Sequence, residues 1–134
     1  MKYLLDTNTC IFLMKGNANI LTHYLENKKS GIAISSITVA ELYYGVFNSL
    51  HIEKNGATLT NFLIGLTIVD FDSSAAMEHG RIYAALRKKG TPIGQMDMLI
   101  AAHAKSKELI LVTNNTGEFK RIDKLQIEDW LDSK

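Results

Sequence analysis

Four short apolar runs constrain this chain more than any other feature: Tyr3 to Leu5, Ile32 to Ser35, Thr67 to Phe71 and Leu109 to Thr113. Each is bounded by turn-forming or polar residues, as buried strands are. Between them the apolar residues follow helical spacing, as in Val39, Leu42, Tyr43, Val46 and Phe47, then Ala75, His79, Ile82, Tyr83 and Leu86, and later Leu99, Ile100 and Ala104. Strand alternating with helix predicts right-handed crossovers, hence an α/β fold whose central parallel sheet of four to five strands carries helices on both faces. A last edge strand is expected near Leu125 to Ile127. A single proline, nine scattered glycines and no repeat or low-complexity tract leave no room for a linker, so residues 1–134 read as one domain.

A hydrophobic fraction of 46% supplies enough apolar surface for one core. No stretch approaches the roughly 18 apolar residues that a membrane span needs, and MKYLLD lacks a signal-peptide core, so a cytoplasmic protein without membrane contact is expected. Cys10 is the only cysteine and reads as a small buried hydrophobe, with neither a disulfide nor a zinc cluster available. A net charge of +1 excludes a strongly basic nucleic-acid coat and leaves RNA contact to local clusters: Arg87, Lys88 and Lys89, and Lys120, Arg121 and Lys124. Each cluster reads equally well as a solvated helix end or loop.

In open α/β sheets ligands bind outside the carboxyl ends of the strands, which gives weight to acids placed just after strands. Asp6 follows KYLL, Glu41 lies one helical turn beyond IAIS, and Glu118 follows LILVT after a loop holding Asn114 and Asn115. Asp97 opens the helix MDMLIAAHA after the turn from Gly90 to Gly94, so that helix start could aim it into the same crevice. Gathered carboxylates repel, and a hard divalent cation relieves the repulsion; oxygen-only ligation suits Mg²⁺ or Mn²⁺ and hydrolysis by an activated water.

Each acid also has a structural explanation. Asp6 suits a helix N-cap, Glu41 closes the capping-box pattern Thr38-x-x-Glu41, Asp97 complements a helix dipole, and Glu118 in a polar loop would ordinarily be solvated. Asn115 equally suits a cap or turn. The histidines at 23, 51, 79 and 103 fall on separate predicted helices without ligand spacing. Tyr43, Tyr44 and Phe47 read first as core, with an excess over one helical stripe that leaves room for a dimer or partner surface.

The segments LLDTNTCIF, SSITVAELYYG, KKGTPIGQMDMLIAAHA and LVTNNTGEF together resemble the PIN-domain ribonuclease toxins of the VapC family, over essentially the whole chain as far as IEDW. The resemblance implies Asp6 and Asp97 as main metal ligands, Glu41 as the third acid and Glu118 as a fourth, more variable one. It places Asn8, Thr113 and Asn115 among residues that orient these acids or touch substrate. It further implies a metal-dependent endoribonuclease acting on structured RNA, with transfer RNA the favoured substrate, a VapB-type antitoxin partner and a homodimer. One departure is Gln95, where related sequences often carry proline. Two other classes compete. A haloacid-dehalogenase-like phosphatase also places an Asp after its first strand, but wants a second Asp where Asn8 stands. A catalytically silent RNA- or protein-binding module would not need four intact acids.

Overall fold

The computed structural model describes residues 1–131, so the final three residues of the expected domain lie outside the described part. Its strands are β1 (Tyr3–Leu5), β2 (Ile32–Ser35), β3 (Thr67–Val69), β4 (Ile110–Val112) and β5 (Ile127–Glu128). Its helices are α1 (Thr7–Met14), α2 (Ala18–Asn27), α3 (Ser36–Phe47), α4 (Ile52–Ile64), α5 (Ser73–Lys89), α6 (Gln95–Ser106) and α7 (Thr116–Phe119). All strand pairs are parallel, in the order β3-β2-β1-β4-β5.

Alternation along the central strands produces two cores. Leu4, Ala33 and Leu111 face one side, where they meet Ile82 and Leu86 of α5 and Met98, Ile100 and Ala101 of α6. Tyr3, Leu5, Ile32, Ile34 and Val112 face the other, against Cys10, Ile20, Leu42, Val46 and Leu59. Both faces of the sheet are therefore covered, as the near-continuous apolar runs require. Cys10 is fully buried, and burial holds its thiol above the ordinary range, in keeping with a packing role.

Several elements differ from expectation. The third strand ends at Val69, and Thr67 and Ile68 are exposed instead of buried, because β3 is an edge strand paired only with β2. The fourth is trimmed to Ile110–Val112, and the closing strand runs Ile127–Glu128 in place of Leu125 to Ile127. His51 precedes α4 as its N-cap residue and so lies outside any helix. Tyr44 and Phe47 are 69% and 67% exposed, which overturns the core reading of that segment: α3 turns Leu42 and Val46 inward and carries these rings on its outer side.

The loop that delivers Asp97 depends on one glycine. Gly90 closes α5 in the left-handed region at φ 69°, where a side chain is strained, and Thr91 N–H donates to Leu86 O at 3.0 Å. The chain then reverses, so α6 starts at Gln95 and packs along α5.

Candidate active site

The carboxyl ends of β1, β2 and β4 lie side by side, because Leu5 is in register with Ile34 and Val112. Asp6 continues β1 at this edge. Its backbone N–H donates to Val112 O at 3.0 Å, and its side chain accepts from Thr9 N–H at 2.8 Å as the N-cap of α1. The cap and the site are thus the same residue. Only 3% of Asp6 is exposed, and burial raises its carboxyl above the usual range; hydrogen bonds from the Thr113 side chain and from Thr9 oppose that rise. Thr9 is anchored in turn by its hydroxyl, which donates to Val112 O at 3.1 Å.

Glu41 does not close a capping box. Helix α3 begins at Ser36 with Ser35 as its cap, so Thr38 lies inside the helix and Glu41 a turn further on. The half-buried Glu41 carboxylate accepts from the Thr7 hydroxyl of α1 at 2.6 Å, and Thr38 Oγ1 stands 3.2 Å from that same hydroxyl. Glu118 sits in the first turn of the short helix α7, correcting its assignment to a loop. Its carboxylate accepts from the Asn115 side-chain amide. Asn115 N–H also donates to the Thr113 hydroxyl at 3.0 Å. Thr113 and Asn115 therefore link the surroundings of Asp6 to Glu118. Asn115 is nonetheless the N-cap residue of α7, although its side chain makes no capping bond.

Asp97 lies in the first turn of α6, whose cap, Gly94, supplies no side-chain acceptor. Its carboxyl is pushed up to about 6, first by burial and then by the negative charges of Asp6, Glu118 and Glu41. The fold thus brings Asp6, Glu41 and Glu118, dispersed over 113 positions of sequence, within Coulomb range of Asp97. Among the described residues no three carboxylates stand at direct metal-ligand spacing, so the electrostatic coupling, and not a preformed coordination shell, defines the cluster. The donor set is all oxygen and the charge is unbalanced. Both features suit a hard divalent cation that keeps several waters and takes one or two direct carboxylates.

Asn8 is exposed and makes no coupling to this cluster; it lines a cleft of about 560 Å³ beside it with Thr7, Glu41, Tyr44 and Met96. Gln95 occupies the first position of α6. Of the basic clusters, Arg87, Lys88 and Lys89 form the last turn of α5, and Lys120 ends α7.

One acid at this edge escaped the sequence reading. Asp129 immediately follows β5, accepts from Leu131 N–H at 2.9 Å, and its charge contributes to raising Asp6. The acid-after-strand criterion would have found it, had the last strand not been expected to end one residue too early, at Ile127 instead of Glu128.

A PIN-domain family model matches residues 3–125. A relative named tRNA(fMet)-specific endonuclease VapC, from Salmonella typhimurium, is 45% identical over 130 residues, covering 97% of this chain and 98% of that protein. Ribonuclease VapC2 from Haemophilus influenzae is 46% identical over 132 residues, covering 98% of this chain and 99% of that protein. Among solved structures, VapBC2 from Rickettsia felis bound to a DNA fragment from its promoter superposes with a TM-score of 0.93 at 42% identity, over 97% of this chain and 99% of that one. DNA-bound VapBC from Salmonella typhimurium superposes with a TM-score of 0.92 at 46% identity, over 97% and 98% of the two chains.

Proposed function

The chain belongs to the PIN-domain family and within it to the VapC ribonucleases, and on that premise we propose that Asp6, Glu41, Asp97 and Glu118 form a Mg²⁺- or Mn²⁺-dependent site that cleaves transfer RNA. The protein is a VapC-type toxin and an endoribonuclease, and the PIN-domain match spans residues 3–125. The observation that carries the site assignment is the placement of Asp6 at the adjoining carboxyl ends of β1, β2 and β4, with Glu41 held by Thr7 and Glu118 by Asn115; the Asp97 carboxyl, raised by burial and then by the charges of Asp6, Glu118 and Glu41, belongs to the same group. That pattern matches a site built for a positive ligand.

Asp6 and Asp97 would hold the ion, with Glu41 completing the set and Glu118 at its margin. When bound, such an ion supplies charge neutralisation at the phosphate and lowers the pKa of a water nucleophile. The chain's own residues do the positioning. Thr9 N–H and the Thr113 hydroxyl fix the Asp6 carboxylate, Thr7 fixes Glu41, and Asn115 fixes Glu118 while also binding Thr113. These neutral donors orient the acids without cancelling their charge. The Cys10 thiol is buried and held protonated, which removes it as a nucleophile, and this reading takes water as the attacking group.

A VapB-type antitoxin is the expected partner. The apolar cleft of about 420 Å³ lined by Ile11, Met14, Leu42 and Val46 and flanked by Glu41 would admit an apolar segment beside the active site. The exposed Tyr44 and Phe47 on the same helix would contact that partner or a second copy of the chain in a homodimer. No helix among the described residues is long and apolar enough to cross a membrane.

The test is cleavage of transfer RNA by the purified chain, with activity lost in EDTA, restored by Mg²⁺ or Mn²⁺, and absent in Asp97→Asn. Full activity in chelator would refute the site.

A further inference from the structure

We infer that the cleft between α5, Lys105 of α6 and residues 121–124 is a phosphate-binding exosite, which grips the RNA backbone flanking the bond that is cut. The inference rests on the RNA-cleaving reading above.

This cleft of about 270 Å³ is lined by Arg81, Lys89, Lys105, Arg121 and Lys124 against one carboxylate, Asp123. Five cations and one anion leave +4 here, in a chain whose total is only +1, so the remainder of the molecule is net −3. Each of the two basic clusters legible in the sequence contributes to it, since the fold brings Lys89 of the first beside Arg121 and Lys124 of the second. Arg81 and Lys105 join them from positions that no sequence cluster marked.

Much of this charge is available to a ligand. Lys89 pairs with Asp123 at 3.6 Å and Arg81 with Glu78 at 3.0 Å, but both cations are more than half exposed and such pairs exchange readily for a stronger anion. Among the described residues Lys105, Arg121 and Lys124 pair with no carboxylate. Lys105 and Lys124 also border the adjoining groove, with Glu108, Leu125 and Gln126, so these two lysines are shared between both depressions and no further cation extends the patch there. Five cations spread around one cleft suit a polyanion better than a single small anion.

Its position relative to the acids gives it a purpose. Arg121 donates from Nη1 to Pro92 O at 3.0 Å and from its backbone N–H to Glu118 O at 3.1 Å. The cleft is thereby tied to both the loop that delivers Asp97 and the helix that carries Glu118. RNA lying across the acids would reach this patch by following residues 118–121 away from the carboxyl edge of the sheet.

Lys124 provides an independent sign. Its backbone lies at φ 61°, in the left-handed region that glycine adopts freely and a lysine does not. A cation is thus held in a strained conformation at the mouth of the cleft, as strained residues often are at binding sites.

Transfer RNA cleavage by wild type, Lys124→Gly and the double variant Lys105→Gln with Lys124→Gly tests this, at several salt concentrations and saturating Mg²⁺. In the double variant KM should rise at least tenfold with kcat unchanged, and the slope of log affinity against log salt should shrink by about 1.5 to 2, near the value for two lost phosphate contacts. Lys124→Gly alone should bind RNA less tightly while melting at or above the wild-type temperature, which separates lost contact from lost folding. An unchanged KM and salt slope would overturn the exosite. So would a loss confined to kcat. A wild-type chain that cleaves no transfer RNA fails the underlying RNA reading, and the exosite falls with it.

Discussion

Removing the Asp97 charge should stabilise the metal-free protein while destroying its activity. Burial, Asp6, Glu118 and Glu41 together push the Asp97 carboxyl from 3.8 up to about 6. At full strength that displacement corresponds to about 3 kcal/mol of destabilisation once the group is ionised. The side chain is only partly buried, so screening reduces this to roughly 1–2 kcal/mol. A carboxylate in the first turn of α6 also gains about 0.3–1 kcal/mol from the helix dipole, leaving a net penalty near 1 kcal/mol. The sign follows from proton binding. With the folded pKa raised, the native state binds more protons than the unfolded state between about pH 4 and pH 6, so wild-type stability falls as pH rises through that window. Asp97→Asn escapes the loss. In EDTA at pH 7.5 it should melt roughly 2–5 °C above wild type, and the gap should close near pH 4. Differential scanning calorimetry across pH reads both quantities. A variant that melts below wild type at pH 7.5, or a gap that does not change with pH, would mean that Asp97 is a structural acid and not a member of a repelling cluster.

Asp6 should separate its two roles by substitution: Asp6→Asn keeps the acceptor for Thr9 N–H and should melt near wild type, whereas Asp6→Ala should lose about 0.5–2 kcal/mol of cap stability, and both should be inactive. Thr7→Val, which deletes the hydroxyl bonded to Glu41, should lower kcat about fivefold, equivalent to roughly 1 kcal/mol, with the fold retained by circular dichroism. Mn²⁺ at about 100 times Kd should raise wild-type stability by about 2.7 kcal/mol and that of Asp97→Asn by much less; equal shifts in both would remove Asp97 from the ligand set. Tyr44→Glu should weaken antitoxin binding or shift sedimentation toward monomer, and a change in neither would return this exposed ring to plain surface.

The fold was legible because its two faces are written into short runs: Leu4 faces one core while Tyr3 and Leu5 face the other, and no other packing buries all three. Asp6, Glu41, Asp97 and Glu118 were legible as acids near strand ends. Their gathering at one sheet edge was expected in outline; how closely they approach was not legible, since it depends on the register of β1 with β2 and β4 and on the reversal at Gly90. Local patterns misled where tertiary context decided. Thr38-x-x-Glu41 has the letters of a capping box, yet Ser35 caps the helix and Glu41 turns toward Thr7. The apolar composition of Thr67 to Phe71 resembles that of a central strand, and only the sheet order makes it an edge. Tyr43 and Phe47 obey helical spacing but lie at or beyond the margin of the arc that α3 buries. The cationic cleft was legible only as two separate basic clusters, because its members come from three segments, α5, α6 and residues 121–124, that the fold alone brings together.

The central claim is that these acids gather a divalent ion to drive attack of water on an RNA phosphodiester. Early-time analysis of the ends produced from transfer RNA, with and without Mg²⁺ or Mn²⁺, tests it most directly. Water as nucleophile leaves no 2′,3′-cyclic phosphate and no RNA–protein adduct, so the account predicts metal-dependent product lacking both. Cyclic phosphate ends, a trapped adduct, or the same product formed in EDTA would contradict it.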